Sequence, residues 1–195
     1  MATAFTEQET VYIRKALKKS AGTFALSQGV RKTTVDQLTE SAGISKGAFY
    51  KFYPSKEMLF FELLEDMHSE IYSVAARVLA DYSDKSDVER VAQAVLASCR
   101  LIDERGIMTF IERDAAYLLR KVPENVKNKH YHSDSVHITG LLQKAGLKPK
   151  GGTELAAATV RGLFLTVSHK NEIGETYSEV LKTLVYGTCK ILFDE

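Results

Sequence analysis

At 195 residues, with 45% apolar and 26% charged residues, the chain has the make-up of an ordinary globular protein and enough length to bury one or two cores. No stretch reaches the roughly 18 uninterrupted apolar residues that span a bilayer, which excludes a membrane partner, and the opening MATAFTEQET lacks the basic-then-apolar order of a secretory signal, so a cytoplasmic location is expected. Net charge is only +1, yet residues 1–60 carry nine Lys or Arg against five Asp or Glu, while residues 61–195 carry seventeen against twenty. A basic head suits a phosphate backbone, and an acidic body does not grip one. The two cysteines, Cys99 and Cys189, stand far apart in no CxxC spacing and fit buried small hydrophobes better than a disulfide framework or a zinc site.

Apolar positions recur at helical spacing almost throughout, so the chain reads as all-α. The first helix is expected from Thr6, whose hydroxyl caps while Glu9 reaches back, with Ile13, Ala16, Leu17, Ala21 and Phe24 inward and Gly29 as its end. A short second helix follows from Thr34, with capping-box spacing to Gln37 and Val35, Leu38 and Ala42 inward. Gly43 supplies the left-handed residue of a tight turn, and Ser45 caps a third short helix that runs through Phe52. Pro54 and Ser55 restart the chain as a long fourth helix to about Tyr82, striped by Leu59, Phe60, Leu63, Leu64, Met67, Ile71, Val74 and Val78. Five more helices are expected over 87–105, 107–121, 123–145, 153–170 and 175–193, with breaks at Gly106, Pro123, GLKPKGG and Gly174. That gives about nine helices in two domains, residues 1–54 and 55–195.

The second and third helices and the turn between them have the length and turn chemistry of a helix-turn-helix, in which the later helix enters the major groove and Ile44 plugs the corner. Free amides at the helix starts near Thr34 and Lys56 are natural phosphate seats. Lys46 reaches base edges, Gly47 and Ala48 keep the surface low for close approach, and Tyr50 and Lys51 sit beside the backbone.

The run TTVDQLTESAGISKGAFYKFYPSKEMLFFELL, residues 33–64, resembles the DNA-binding signature of the tetracycline-repressor (TetR) family. Its SKGxxYxxxxSKE core runs from Ser45 to Glu57, and TFALSQG before it matches the end of that family's first helix. The resemblance implies phosphate and base contacts at Thr34, Ser45, Lys46, Gly47, Ala48, Tyr50 and Lys56. It also departs from the pattern: Phe52 followed by Tyr53 stands where many relatives place His or Tyr before a final Phe, which leaves open whether Tyr53 takes a phosphate contact or joins the core. The likeness fades after about residue 70. It implies an effector pocket walled by the middle helices, for which Met67, Tyr72, Cys99, Met108, Phe110, Tyr117, Phe164 and His169 are candidates, apolar walls with few polar handles that suit a small, mostly apolar ligand.

The last helix carries a stripe from Tyr177 to Leu192 that is too wide for one neighbour. Leu181, Leu184, Val185 and Thr188, with Leu155, Ala158 and Gly162 on the helix before it, are therefore expected at a homodimer interface, and a two-fold operator requires two reading heads. His130, Asp134 and His137 fall on one helical face at a spacing that could hold a transition metal, but a solvated polar face near the basic KNKHYH run is the preferred reading, and no metal site is assigned. No phosphate-cradling glycine loop, nucleophile elbow or HExxH occurs, so neither enzyme chemistry nor a cofactor is expected. The sequence thus points to a ligand-responsive regulator, in the first instance a repressor, bound as a homodimer to a double-stranded palindromic operator and released by a small-molecule effector. The alternative is a DNA-binding scaffold whose C-terminal domain binds a protein.

Overall fold

The computed structural model describes residues 5–193, apart from the side chains of residue 129 and residues 131–135, and every element among them is helical. The elements are α1 (Glu7–Ser27), α2 (Gly29–Lys32), α3 (Val35–Ala42), α4 (Lys46–Phe52), α5 (Lys56–Asp81), α6 (Asp87–Glu104), α7 (Ile107–Phe110), a π-helical segment (Ile111–Ala115), α8 (Ala116–Lys121), α9 (Glu124–Lys144), α10 (Gly152–Leu165), α11 (Lys170–Ile173) and α12 (Tyr177–Phe193). They gather into two compact units. One holds the residues up to Asp66 together with Thr109–Glu124, and the other holds Met67–Met108 and the chain from Asn125 onward.

In the first unit the local signals act as the sequence predicts. Thr6 Oγ1 accepts from the Glu9 N–H at 3.2 Å while the Glu9 carboxylate accepts from the Thr6 N–H at 2.8 Å, which satisfies amides that have no partner in the first turn. Helix α1 buries Ile13, Leu17, Ser20, Ala21 and Ala25. Ala16 and Phe24, expected inward, are only half-buried. Ser55 Oγ accepts from the Met58 N–H at 3.2 Å and starts α5. Arg14 pairs with Glu62, and Lys18 with Glu62 and Asp66, tying α1 to α5 with partly exposed ion pairs, each of about 0–1 kcal/mol. The core beneath is closed to solvent: Leu17, Val30, Leu38, Phe49, Leu59 and Phe60 are fully buried, and Phe110 packs its ring 6.4 Å from that of Phe60.

Three features depart from the expectation. Gly29 does take a left-handed conformation, φ +81°, but it opens the four-residue α2 instead of a loop. The helix expected over 107–121 is broken into α7, the π-helical segment and α8, and its later part packs with the N-terminal head. Elsewhere α10 stops at Leu165, short of Lys170, and α11 is a separate turn.

In the second unit α12 turns Tyr177, Leu181, Val185, Cys189 and Leu192 inward, and α6 answers with Val91, Val95, Ser98, Cys99 and Ile102. The Tyr186 hydroxyl donates to the Glu89 carboxylate at 2.9 Å, and the Gln93 amide donates to the same hydroxyl at 3.1 Å, pinning α12 to α6. Arg90 donates to the carbonyl of Ala145 at 3.1 Å, which closes the end of α9. No helix among the described residues is long and apolar enough to cross a membrane.

Burial pushes the thiols of Cys99 and Cys189 up to about 12. Neither should react with a thiol-disulfide reagent at pH 8 in the native protein, and both should react once it is denatured; titration with a chromogenic disulfide checks this, and a fast native phase would contradict the burial. Leu17→Ala should lower the stability of the head by about 2–5 kcal/mol, measured by urea unfolding, because the side chain is fully buried and its truncation leaves a cavity.

Candidate nucleic-acid interface

The reading head is assembled from short helices that carry their own terminators. Thr34 Oγ1 accepts from the Gln37 N–H at 3.2 Å and Gln37 Oε1 accepts from the Thr34 N–H at 2.8 Å, a complete capping box at the start of α3. The Gln28 amide joins it, donating to Gln37 Oε1 at 3.1 Å. Leu38, Thr39 and Ala42 are the buried side of α3. Gly43, at φ +68°, turns the chain, and the Ile44 N–H donates to the Thr39 carbonyl at 3.1 Å, so Ile44 lies half-buried in the corner. Ser45 Oγ then accepts from the Ala48 N–H at 3.2 Å and begins α4.

Helix α4 has seven residues and two fates for them. Phe49 and Phe52 are buried, and Phe49 is fully enclosed. The opposite face presents Lys46, Gly47, Tyr50 and Lys51 to solvent, with Ala48 half-buried at its margin. Tyr50 is 52% exposed and meets Phe49 edge-on, at a ring separation of 5.4 Å. A Cβ built on Gly47 would meet nothing within 4 Å, so nothing inside this chain requires glycine there. Lys46 Nζ lies 2.9 Å from Asp36 Oδ2, both side chains being more than half exposed, and the hydrogen bond to Asp36 raises the ammonium pKa. An exposed pair of this kind exchanges partners readily, which leaves the ammonium free to take an anion or a base edge.

Two residues of the signature turn inward instead. Lys56 Nζ donates to the carbonyls of Val30 at 2.8 Å, Arg31 at 3.2 Å and Thr33 at 2.6 Å, so its protons hold the end of α2, and the amide end of α5 is what remains of the phosphate seat expected there. Tyr53 is 3% exposed, its ring lies under the Arg14 guanidinium at 4.9 Å, and burial pushes its phenol up to about 12. It is a core residue. Arg14 also donates to the Phe52 carbonyl at 3.2 Å and closes the end of α4.

The candidate effector residues divide between the units. Met67, Tyr72, Cys99, Met108, Phe164 and His169 lie in the second, with Cys99 and Met108 buried, Met67, Tyr72 and Phe164 half-buried, and His169 exposed beside Glu172. Phe110 and Tyr117 lie in the first. The Tyr117 hydroxyl donates to Glu57 at 2.9 Å and its ring lies under the Arg31 guanidinium at 5.1 Å. The expected dimer stripe also divides. Leu155, Ala158, Gly162 and Leu184 are exposed and Thr188 half-buried, but Leu181 and Val185 are buried within the unit because they face α6. Ile191, part of the same wide stripe but not among the residues expected at the interface, is 74% exposed. His130 is buried with its ring stacked on His68 at 5.2 Å, and His137 stacks on Tyr72 at 5.0 Å. The side chain of Asp134 lies outside the described residues.

Sequence reasoning missed Asp36 as the partner of Lys46, and Asp114, a buried carboxylate that reaches the Val30 N–H at 3.2 Å. Neither carries a local signal, because both partners are brought close only by the fold.

Residues 21–63 match the family described as bacterial regulatory proteins, tetR family. Among curated relatives, the transcriptional repressor KstR2 of Mycolicibacterium smegmatis is 29% identical over 111 residues, which is 57% of this chain and 53% of that protein. The nucleoid occlusion factor SlmA of Shewanella pealeana is 26% identical over 144 residues, 73% of this chain and 71% of that protein. The chain spans about half the length of the first curated relatives it matches. Solved structures share the fold at low identity. A TetR-family transcriptional regulator from Rhodococcus sp. superposes with a TM-score of 0.68 at 17% identity, covering 94% of this chain and 100% of that one. FadR of Bacillus subtilis, solved with stearoyl-CoA, gives 0.54 at 18%, with 91% and 98% covered. The ketosteroid regulator KstR2 of Mycobacterium tuberculosis gives 0.55 at 20%, with 93% and 95% covered. Residues 21–63, which hold the capped α3–turn–α4 pair and most of its signature residues, thus carry the DNA-binding domain of the tetR family of bacterial regulatory proteins.

Proposed function

We propose that the chain is a ligand-responsive repressor that binds a palindromic operator as a homodimer and is released by a small, mostly apolar effector. The observation that carries this reading is the outward face of α4. A helix docked in the major groove reads bases with the side chains near its N-terminus, and here those are Lys46, Gly47, Ala48 and Tyr50 on a head with a basic excess. Thr34 and Ser45, at the starts of α3 and α4, are placed to receive phosphates, and Lys51 lies beside them on the same exposed side.

The partner copy is expected on the outward side of α10 and α12. Leu155 and Leu184 are half exposed and Ile191 nearly bare, beside Ala158, Gly162 and Thr188, whose small side chains permit close helix approach. Apolar residues gathered on an exposed face mark an interaction site. Leu181 and Val185 support that face from within.

The effector site falls to the second unit, with Met67, Tyr72, Cys99, Met108 and Phe164 as wall candidates. FadR was solved with stearoyl-CoA, which joins an apolar acyl chain to an anionic nucleotide, and KstR2 is described as a ketosteroid transcriptional regulator; an apolar acyl chain or ring system suits such walls. Such a ligand derepresses only if it binds the DNA-free arrangement better, by about 5.5 kcal/mol to carry the equilibrium from one extreme to the other. The likeness to SlmA, a nucleoid occlusion factor, favours a second reading in which the C-terminal part binds a protein.

Lys46→Ala should cost about 1–3 kcal/mol in operator affinity, and Tyr50→Ala should weaken binding further in combination; fluorescence anisotropy on a selected operator duplex reads both, and intact affinity in the double variant would remove α4 as the reading helix. Leu184→Glu with Ile191→Glu should convert a dimer to a monomer in light scattering and abolish high-affinity operator binding, whereas a dimer that persists would place the interface elsewhere. Long-chain acyl-CoA or sterol-ring ligands at about 100 times Kd should stabilise the protein by about 2.7 kcal/mol in a thermal melt and release the duplex; no response across both classes favours the protein-binding reading.

A further inference from the structure

Thr109–Glu124 packs with the N-terminal head although Met67–Met108 separate the two in the chain, so a mid-chain segment is structurally part of the DNA-binding unit. Phe110, Asp114, Leu118 and Val122, at four-residue spacing, are its buried residues, and three of the four are ordinary apolar anchors. The other is a carboxylate, 1% exposed. Asp114 Oδ2 accepts from the Val30 N–H at 3.2 Å and from Arg113 Nε at 3.0 Å, and Val30 is itself fully buried. A dry carboxylate persists only where such partners are held in place, because losing one leaves a buried charge uncompensated.

The surroundings are shaped to this contact. Gly29 stands at φ +81°, and a Cβ there would lie 2.7 Å from Arg113 Nε and 3.0 Å from Asp114 Oδ2, so the approach requires glycine. Asp114 stands in the π-helical turn Ile111–Ala115, a wider turn that is frequent at functional positions. Helix α2 is four residues long, too short to hold itself, and its early amides have no partner within it. Asp114 takes one of those amides while Lys56 takes the carbonyls of Val30, Arg31 and Thr33 at the other end. Opposite charges therefore grip the two ends of one turn with the polarity its dipole favours. Thr33 leads straight into Thr34, the cap of α3, and α3 reaches α4 through the tight Gly43 turn.

We propose that Asp114 is a positioning residue for operator reading: its buried carboxylate, with Gly29 and Arg113, fixes the α2 turn from which the α3–α4 reading pair is hung. This rests on the DNA-reading function proposed above. Asp114 reaches no nucleic acid itself, so its loss should act on how well α4 is presented and not on the number of phosphates neutralised.

The test compares Asp114→Ala and Asp114→Asn with the unaltered protein, at a temperature where circular dichroism shows each folded. Asp114→Ala should lose about tenfold in operator affinity, the loss of one buried charged hydrogen bond, with the salt dependence unchanged. Lys51→Ala, which removes a cation from beside the phosphate backbone, should by contrast flatten the salt dependence. Asp114→Asn, whose carbonyl oxygen still accepts from the Val30 N–H, should recover most of the affinity, and it decides the matter if the alanine variant does not fold. Amide exchange from Val30 to Thr34, measured without DNA, should quicken in Asp114→Ala. Folded variants that bind the operator as tightly as the unaltered protein, or whose exchange at Val30 is unchanged, overturn the proposal. If the unaltered protein binds no defined duplex, the DNA-reading function fails separately, and the exchange measurement alone reads the clamp.

Discussion

The enclosure of Phe49 decides what the rest of the head can do. A helix of seven residues has no stability of its own in water, so its orientation is set by what it buries. With Phe49 sealed in the core and Phe52 beside it, residues at 46, 47, 50 and 51 have only one direction left, outward. Ser45 and Gly43 set where that helix starts, and Arg14 closes its end at the Phe52 carbonyl. The chemistry of recognition thus follows from a packing constraint: the aromatic anchor fixes the face, and the face carries an exchangeable ammonium, a glycine with open space above it and a half-exposed phenol.

The same logic extends one helix back. Helix α2 is held by charges from distant parts of the chain, the carboxylate of Asp114 at its amides and the ammonium of Lys56 at its carbonyls. Neither group is spent on solvent. Such buried polar contacts are worth more for the geometry they specify than for net stability, since desolvation offsets much of the attraction. The chain passes between the two units at residues 66–67, 108–109 and 124–125, and the last two of these junctions bracket the segment that carries Asp114.

Most of the head was legible in the sequence because its determinants are local. The Thr6 and Thr34 capping boxes, the Ser45 cap and the Gly43 turn each need only three or four consecutive residues to be recognised, and each is present as anticipated. What escaped depends on distance. Asp114 meets Val30 across 84 positions of sequence, and one aspartate in an amphipathic helix looks like any solvated side chain. Lys56 looked like a phosphate ligand because nothing local shows three carbonyls converging on it. The α12 stripe is wide, and periodicity alone does not say which side of it α6 takes. Leu181 and Val185 lie inward, while Leu184 and Ile191 of the same stripe stand exposed. The π-helical turn has no compositional mark at all.

The most direct test of the central claim, that the outward face of α4 reads DNA as one half of a symmetric pair, is selection of bound duplexes from a random pool by the purified protein at two salt concentrations. A two-fold-symmetric site, with half-sites about one helical turn apart and affinity falling as salt rises, is the predicted result. Recovery of no shared sequence, or binding whose strength depends on salt but not on sequence, would contradict it.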